Sequence, residues 1–385
     1  MSSQDQINLI VGATSLVQPL TGIGQYTLRL VAELAKNEHI NTNYFNGYSW
    51  STSASVRSFP NIGNLKKNIS KFLPYAYEFR RFAQQKAFNV GNHKIKADVY
   101  HDPNFLPLVF DGPTVITVHD LSYIRHPEVH PYQRVRIMRK LLPPAIEKSS
   151  CIIADSHFTK SEIAKEFSID VNKIKVIHLG VSEEFYPRTN AESQQVLNKY
   201  NLIVGKFILA VGTLEPRKNL IQVISAYLLM SSELALEFPL VIVGVRGWKE
   251  KGFLKELEKL LFEKKAFLLG YVPSNELPFI YSGARAFIFP SLYEGFGLPP
   301  LEAMACGTPV ITSNTSSIPE VVGDAGSTVS IGDVDALKNY IEILCRDDLI
   351  HTKYAAAGIT QAAKFSWADC AKKTLEAYQF AMLNK

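Results

Sequence analysis

The segment from Glu294 to Glu302 places two carboxylates on either side of a glycine-rich turn. The preceding residues, 285–291, have the β-branched and aromatic character of a buried strand, and a helix is predicted to begin near Leu298. Such a turn exposes backbone N–H groups at the positive end of a helix dipole, which suits phosphate, whereas the two glutamates suit hydroxyl groups. Phosphate and polyol together point to a nucleotide-sugar. The structural alternative is a turn-capping Glu294 and a solvated Glu302.

Two adjacent cations, Arg217 and Lys218, follow a predicted strand over residues 207–212. Unpaired cations are rare at the end of a buried parallel strand. Arg217 could hold phosphate oxygens bidentately, and Lys218 could add a point charge. Together they predict binding of a diphosphate and stabilisation of its charge as it leaves. The alternative is that Glu215 neutralises one of them locally.

The sequence Gly22-Ile23-Gly24 follows a predicted strand over 7–13 and opens a helix. As a dinucleotide fingerprint it is weak, because Thr27 stands where a third glycine is required. A phosphate loop at a helix N-terminus and a merely tight connection are equal alternatives.

His119 and Asp120 come at the end of a predicted strand over 115–119. A histidine in that position could bond a substrate hydroxyl or act as a base near neutral pH. A single histidine is more often structural, so only its placement favours the catalytic interpretation.

The run Asp333-Val334-Asp335 matches the Asp-x-Asp pattern of metal–diphosphate sites. It stands at a predicted helix start, however, where aspartate is a favoured cap. We therefore predict capping by Asp333 and no essential metal.

The chain has 385 residues, of which 46% are hydrophobic and 20% charged, and this length favours two domains. It has no basic leader with an apolar core and no apolar run of 18 residues, so neither a signal peptide nor a membrane span is predicted. The four cysteines form no CxxC pair, which argues against structural zinc and disulfides and fits a reducing cytoplasm.

The net charge of +5 lies entirely within residues 1–185 and is concentrated in residues 66–96, where aromatic residues are interleaved with Lys and Arg. This composition suits an anionic membrane surface or a nucleic acid. A solvated helix face with a few core aromatics is the alternative. We hypothesise a peripheral membrane surface, to which Arg134, Arg136, Arg139 and Lys140 would contribute, and no nucleic-acid partner.

Strands and helices alternate in both halves, which predicts an α/β protein with two doubly wound parallel sheets. A helix is predicted over 132–148, broken late by Pro143 and Pro144, and another over 157–167. The polar stretch 187–200 has no strong apolar period and is predicted to hold the domain boundary. The predicted domains are 1–187 and 200–365, followed by a helix within 366–385. Their strand ends would face a shared cleft, where ligands bind.

Five motifs in this order resemble the retaining glycosyltransferases of family 4, over nearly the whole chain. That family has the GT-B fold, in which two Rossmann-like domains with parallel sheets face a central cleft. The motifs are Gly22-Ile23-Gly24, Val118-His119-Asp120, Asp155-Ser156-x-Phe158-Thr159, Glu215-Pro216-Arg217-Lys218-Asn219, and Glu294 with Glu302 eight residues later.

The resemblance implies roles for individual residues. His119, Arg217, Lys218 and Glu294 would be catalytic, and Glu302 would bind the ribose. Further donor-binding positions would be Gly22, Ile23, Gly24, Gly212, Gly295, Phe296, Gly297 and Leu298. The acceptor side would include Tyr26, Asp120 and Ser156.

The family is metal-independent, keeps the anomeric configuration, binds the acceptor in its N-terminal domain, and sends its last helix back onto that domain. Residues 119–159 are similar to mannosyl- and rhamnosyltransferases of bacterial surface-polysaccharide assembly. The resemblance therefore implies GDP-mannose as donor, with GDP-rhamnose or a UDP-sugar as alternatives, and a glycan or polyprenyl-linked acceptor at the cytoplasmic face of the membrane.

Two alternatives come from other classes. The first is a nucleotide-dependent oxidoreductase, against which the missing third glycine argues. The second is a non-catalytic sugar-nucleotide or polysaccharide-binding protein.

Overall fold

The computed structural model describes residues 6–18, 20–57, 76–245 and 254–384. Its strands form two sheets, one in each half of the chain. The N-terminal strands are β1 Ile7–Gly12, β2 Ile40–Phe45, β3 Trp50–Ser51, β4 Val99–Asp102, β5 Thr114–Val118, β6 Cys151–Ala154 and β7 Ile174–Val176. The C-terminal strands are β8 Ile208–Val211, β9 Leu240–Val243, β10 Ala266–Gly270, β11 Ala286–Phe289, β12 Val310–Ser313 and β13 Ser327–Val329.

Both sheets have a doubly wound strand order. The first runs β3-β2-β1-β4-β5-β6-β7, and the second runs β10-β9-β8-β11-β12-β13. All strand pairs in the described residues are parallel except β2 with the short edge strand β3. Central strands such as β5 and β11 are buried along their whole length, as expected for parallel sheets covered by helices on both faces.

The helices cover these sheets. They are α1 Gly22–Leu34, α2 Ala76–Ile95, α3 Ser122–Arg125, α4 Tyr132–Lys148, α5 His157–Phe167, α6 Asn190–Leu197, α7 Leu220–Leu229, α8 Ser232–Glu237, α9 Leu254–Phe262, α10 Leu277–Gly283, α11 Leu298–Ala305, α12 Ile318–Val322, α13 Val334–Arg346, α14 Asp348–Ala362 and α15 Trp367–Leu383.

The last helix, α15, packs on the N-terminal sheet, against α1 and strands β4, β5 and β6. The hydroxyl of Tyr378 in α15 lies 2.7 Å from Nδ1 of His101 in β4. The chain reaches this position beside Gly180, where a Cβ atom would approach the backbone nitrogen of Trp367 to 2.1 Å. The hydrophobic core is continuous through this contact and includes residues from both halves.

One sequence-based expectation was wrong in the region of the helices, and one helix was not anticipated. Helix α4 continues through Pro143 and Pro144, because the fully buried Leu142 and Ile146 hold it against the sheet. The polar stretch after residue 187 contains a helix, α6, which begins with a capping box between Thr189 and Glu192.

Other expectations were confirmed. Helix α5 has the predicted bounds, and the carboxylate of Asp333 caps α13 by accepting a hydrogen bond from the nitrogen of Ala336 at 2.9 Å. The prediction of no disulfides and no structural zinc is a separate matter and stays a prediction; the four cysteines are buried.

The 66–75 part of the basic segment lies outside the described residues. Within the described residues, no helix combines the length and the apolar character needed to cross a membrane.

Candidate active site

The two motifs of the C-terminal half meet at the carboxyl edge of its sheet. Strand β8 leads through Gly212 into a 3-10 turn, Pro216–Lys218, and β11 leads into the loop that carries Glu294. Because β8 and β11 are neighbours in the sheet, the two loops lie side by side.

Glu294 is held by three donors from these loops. Its Oε1 accepts hydrogen bonds from Nζ of Lys218 and Oγ of Ser291, both at 2.6 Å, and its Oε2 lies 2.7 Å from a terminal nitrogen of Arg217. The guanidinium also donates to Glu215 Oε1, at 2.7 and 3.1 Å, and to the carbonyl oxygen of Tyr293 at 2.6 Å. We call this group, Glu215, Arg217, Lys218, Ser291 and Glu294, the charge cluster.

The charges of the cluster are tightly coupled. Burial alone would raise the pKa of Glu294, but Arg217 and Lys218 outweigh it and lower the pKa to about 2. Burial lowers the pKa of Lys218, and Glu294 only partly offsets this. Glu294 is therefore an ionised carboxylate that orients two cations. Local neutralisation by Glu215, one of the alternatives above, is observed for Arg217.

The cluster lies where the two domains meet. Burial would lower the pKa of Arg217, but the negative charges of Glu294 and then of Asp120 in the N-terminal domain outweigh burial and raise the pKa. The hydroxyl of Tyr293 accepts a hydrogen bond from the nitrogen of Leu121 at 3.0 Å and donates to Glu162 in α5. The cations therefore lie at the interdomain cleft.

The glycine turn after Glu294 is pressed against the N-terminal domain. A Cβ atom at Gly295 would come within 1.7 Å of the carbonyl oxygen of His119, so no other residue fits there. The hydroxyl of Ser156 donates to the carbonyl oxygen of Gly295 at 2.8 Å. Gly297, with φ of 123°, occupies a conformation that favours glycine and forms the N-cap of α11.

The N-terminus of α11 differs from the expected phosphate site in one respect. Its second and third residues are Pro299 and Pro300, which carry no N–H. Leu298 is the only one of its first three residues that can donate a backbone hydrogen bond. Phosphate binding at this point therefore depends on the side chains of Arg217 and Lys218 more than on the helix tip.

Lys218 and the neighbouring donor-side positions pack closely. The methylene stem of Lys218 lies about 3.5 Å from where a Cβ of Gly212 would stand. The Phe296 ring is buried between His178 and Phe365, at centroid distances of 6.0 and 5.8 Å. For Phe296, only the backbone remains a candidate for donor binding.

Glu302 lies in different surroundings from Glu294. Its Oε2 accepts a hydrogen bond from the hydroxyl of Tyr281 at 3.1 Å. Burial raises its pKa to about 8, and the charge of Glu184 adds to this effect. In the described residues no hydrogen bond or ion pair joins Glu302 to the charge cluster.

His119 is bonded at both ring nitrogens. Nδ1 lies 2.7 Å from Oδ2 of Asp155, and Nε2 lies 2.9 Å from the carbonyl oxygen of Pro103. Burial alone would lower its pKa, but Asp155 and then Pro103 outweigh it and raise the pKa. Two acceptors favour a doubly protonated ring. A direct role of this ring with a ligand stays a prediction, and it requires one of these bonds to open.

Two of the three acceptor-side residues do not fit that role. Tyr26 is 1% exposed, and its hydroxyl lies 3.0 Å from Oγ1 of Thr117. Ser156 is fully buried, where it caps α5 and bonds Gly295. The third, Asp120, is partly exposed at the cleft, although its Oδ1 accepts hydrogen bonds from the nitrogen and hydroxyl of Ser122.

A cavity of about 580 Å³ in the N-terminal domain contains an acidic residue that the sequence analysis did not select. Asp102, the last residue of β4, lines it together with Arg80, Arg81, Arg134 and Ile23. Burial raises the pKa of Asp102. The argument that selected His119, a polar residue at the carboxyl end of a strand, applies equally to Asp102 and could have found it.

The glycine pair of the first motif is adjacent to this cavity. Helix α1 begins at Gly22, which is exposed, and Gly24 is buried in its first turn. The loop therefore belongs to the N-terminal side of the cleft, where Ile23 lines the cavity.

Comparison with known proteins agrees with this arrangement. Residues 20–185 match the family described as Glycosyltransferase Family 4, and residues 198–364 match Glycosyl transferases group 1. The chain is 38% identical over 387 residues to O-antigen chain mannosyltransferase B of Escherichia coli, covering 97% of this chain and 100% of that one. It is 28% identical to the O-antigen chain mannosyltransferase RfbU of Salmonella typhimurium, covering 87% and 90%.

Among solved structures, sucrose-phosphate synthase from Thermosynechococcus elongatus superposes with a TM-score of 0.74 at 19% identity, covering 96% of this chain and 98% of that one. At this level of identity the match shows the fold alone. The chain therefore belongs to the family 4 glycosyltransferases and is a hexosyltransferase with the GT-B fold, not a nucleotide-dependent oxidoreductase.

Proposed function

We propose that this enzyme transfers an α-mannosyl group from GDP-mannose to a growing O-antigen polysaccharide, with retention of configuration and without a metal ion. The observation that carries the proposal is the pair of buried cations, Arg217 and Lys218, oriented at the cleft by Glu294. The choice of mannose is supported by the full-length relative from Escherichia coli.

In this proposal the diphosphate of the donor binds beside Arg217 and Lys218 and shares their hydrogen bonds with Glu294. Because the cations are already positioned, they stabilise the charge that develops on the leaving diphosphate at little cost in reorganisation. These two side-chain cations would neutralise the diphosphate charge, as a divalent ion does in a metal-dependent diphosphate site. Glu302 would accept hydrogen bonds from the ribose hydroxyls.

The acceptor would bind in the 580 Å³ cavity of the N-terminal domain, whose size is typical of ligand sites. Asp102 could accept a hydrogen bond from a sugar hydroxyl, and the arginine side chains of the walls could donate to others. We expect attack on the same face from which the diphosphate departs, with the departing phosphate taking the acceptor proton. We place the enzyme at the cytoplasmic face of the membrane, with the described part of the 66–96 segment toward an anionic lipid surface.

The decisive experiment is a transfer assay with GDP-mannose, GDP-rhamnose and UDP-glucose, each with a mannose-terminated glycan acceptor, in the presence of EDTA. We expect transfer from GDP-mannose alone and an α-linkage in the product by NMR. Transfer from another donor would overturn the choice of mannose, a β-linkage would overturn retention, and abolition by EDTA would overturn metal independence.

The acceptor cavity is tested by Asp102→Asn with Asp98→Asn as the matched control. Asp98 precedes β4 at the opposite edge of the sheet, where it accepts a hydrogen bond from the nitrogen of Asn8. We expect the KM for the acceptor to rise about tenfold in Asp102→Asn, equivalent to one hydrogen bond, with the KM for the donor unchanged. An unchanged acceptor KM, or an equal change in the control, would rule out this cavity.

A further inference from the structure

A second group of chemistry-bearing side chains lies at the domain interface and takes no part in the proposed reaction. His157 is the first residue of α5, His178 follows β7, and Glu320 lies in α12 of the C-terminal domain. One nitrogen of each histidine and one oxygen of Glu320 lie within 4.8 Å of one another. The donor atoms therefore converge from three separate segments and from both domains.

The existing contacts already fix Glu320 between the two histidines. Its Oε1 lies 2.5 Å from Nε2 of His178, and its two oxygens accept hydrogen bonds from the backbone nitrogen of His157, each at 3.0 Å. The two imidazole rings are 6.0 Å apart between centroids and inclined by 66°. They are not stacked, so both can direct a nitrogen toward one point near the carboxylate.

The two histidines and the glutamate are the types of ligand that Zn²⁺ prefers. Two imidazoles and one carboxylate, with a fourth position open to water, are ligands that Zn²⁺ commonly takes. Tetrahedral bonds of 2.0–2.1 Å place ligand atoms about 3.3 Å apart. The His178–Glu320 pair would therefore open from its present 2.5 Å, while the widest spacing in the group, up to 4.8 Å, would contract.

The site also has an entry route. A cavity of about 600 Å³ is lined by His157 and His178 and bounded by α15. Lys160 and Lys373 line the same cavity. Their positive charge weakens the binding of ions that are held mainly by charge, such as Mg²⁺. An ion that prefers imidazole nitrogen loses less affinity.

We propose that His157, His178 and Glu320 bind a transition metal, preferentially Zn²⁺, which fastens the two domains together. Since the histidines belong to one domain and the carboxylate to the other, the complete site exists only when the domains are in contact. A ligand that binds one arrangement shifts the population toward it. Zn²⁺ would therefore hold the cleft closed and slow product release, a consequence that rests on the proposed transferase function.

The metal site is tested on the chelator-treated, full-length protein by titration calorimetry with Zn²⁺ alone. We expect one site per chain and a loss of at least about tenfold in affinity in His157→Ala, because even outer partners of metal ligands contribute that much. This variant leaves the His178–Glu320 bond in place. The matched control is His39→Ala, an exposed histidine of the same domain, and it should bind Zn²⁺ as the wild type does.

The calorimetry tests Zn²⁺ binding directly, so its result does not depend on whether the protein transfers a sugar. Absence of binding at one ion per chain, or equal affinity in His157→Ala, would overturn the proposal. Visible absorption of the Co²⁺ complex provides a second readout, since a tetrahedral site should give bands that His157→Ala and Glu320→Gln lose. Bands retained in both variants would also overturn it.

The fastening of the domains is tested separately, in the transfer assay with EDTA replaced by defined free Zn²⁺. We expect Zn²⁺ to inhibit the wild type and His39→Ala and to leave His157→Ala active. Equal inhibition in all three proteins would overturn the link between this site and domain closure, while the calorimetric result would stand.

Discussion

Glu294 and Glu302 belong to one motif and one strand–turn–helix unit, yet the structure gives them opposite electrostatic surroundings. Glu294 is held by Arg217, Lys218 and Ser291, and its pKa falls to about 2. The carboxyl group of Glu302 has only the hydroxyl of Tyr281 as a hydrogen-bond partner in the described residues, and burial raises its pKa to about 8. The same residue type therefore supplies a fixed negative charge at one end of the motif and a titratable group at the other.

This difference separates two tasks of a nucleotide-sugar site. A permanently ionised carboxylate can hold two cations in place for a diphosphate, because it keeps its charge at every physiological pH. A carboxyl group whose pKa is near neutrality can be protonated or ionised, so it can donate a hydrogen bond to a hydroxyl group or accept one from it. The predictions below test this contrast.

The largest effect is expected from Arg217→Ala, which removes the cation that bridges Glu215 and Glu294. We expect kcat/KM to fall about 10²- to 10³-fold, since a preorganised donor is lost, and the free energy of unfolding to fall by about 3–5 kcal/mol, since buried carboxylates lose their partner. Steady-state transfer kinetics measure kcat/KM, and urea unfolding measures the free energy of unfolding.

The control is Arg285→Ala. Arg285 has the same side-chain exposure as Arg217 and pairs with Asp348, and this variant should keep its turnover. Wild-type turnover in Arg217→Ala would exclude the charge cluster from the reaction.

Glu294 and Glu302 are expected to give the free energy of unfolding opposite pH dependences. The variants Glu294→Gln and Glu302→Gln should each remove one of them. Glu294 has a folded-state pKa below its ordinary value, so its contribution is present above about pH 4.5 and is lost as the pH falls toward 2. Glu302 has a raised pKa, so between about pH 4.5 and 8 only the unfolded chain has lost its proton, and stability falls as the pH rises.

Urea unfolding from pH 3 to 9 measures the free energy of unfolding as a function of pH. Each variant should lose the pH dependence that its glutamate contributes, which has a slope of at most about 1.4 kcal/mol per pH unit. Glu258→Gln, on the exposed face of α9, is the control and should keep both slopes. If either variant reproduced the wild-type profile, the contrast between the two glutamates would be wrong.

A smaller effect is expected on nucleotide binding. If Glu302 accepts hydrogen bonds from ribose hydroxyls, its ionisation should strengthen them, and the affinity for GDP should rise about tenfold as the pH is raised through 8. Calorimetry at pH 6.5 and 9 measures this. Glu302→Gln should show no such rise, whereas Glu294→Gln should retain it. A pH-independent affinity in the wild type would remove Glu302 from the ribose site.

The smallest effect is expected from Ser156→Ala, which acts on the turn after Glu294 and leaves the surroundings of Glu302 unchanged. Loss of the helix cap and of the bond to Gly295 should lower the free energy of unfolding by about 1 kcal/mol, with the acceptor KM unchanged. Thermal unfolding and acceptor kinetics measure the two. A rise in acceptor KM without a change in stability would restore the acceptor role that burial argues against.

Much of the fold followed from patterns within short segments. The apolar strands of both sheets, helix α5 and the cap at Asp333 were predictable because hydrophobic period and capping chemistry are local properties. Strand β2 was missed because the middle of its sequence, Ile40-Asn41-Thr42-Asn43-Tyr44-Phe45, is a polar run that interrupts the apolar pattern. Helix α6 was missed because one buried leucine, Leu197, is too weak an apolar pattern.

The same distinction holds for the site. The sequence by itself placed Arg217, Lys218 and Glu294 near strand ends, because the two cations lie in the loop after β8 and Glu294 lies in the loop after β11. Only the tertiary structure decided that they touch, since the bond between Lys218 and Glu294 spans 76 positions and depends on β8 lying beside β11. It also decided that Tyr26 and Ser156 are buried and that Glu302 titrates near pH 8. Burial and the pairing of distant charges depend on which surfaces come together, and no local pattern records that.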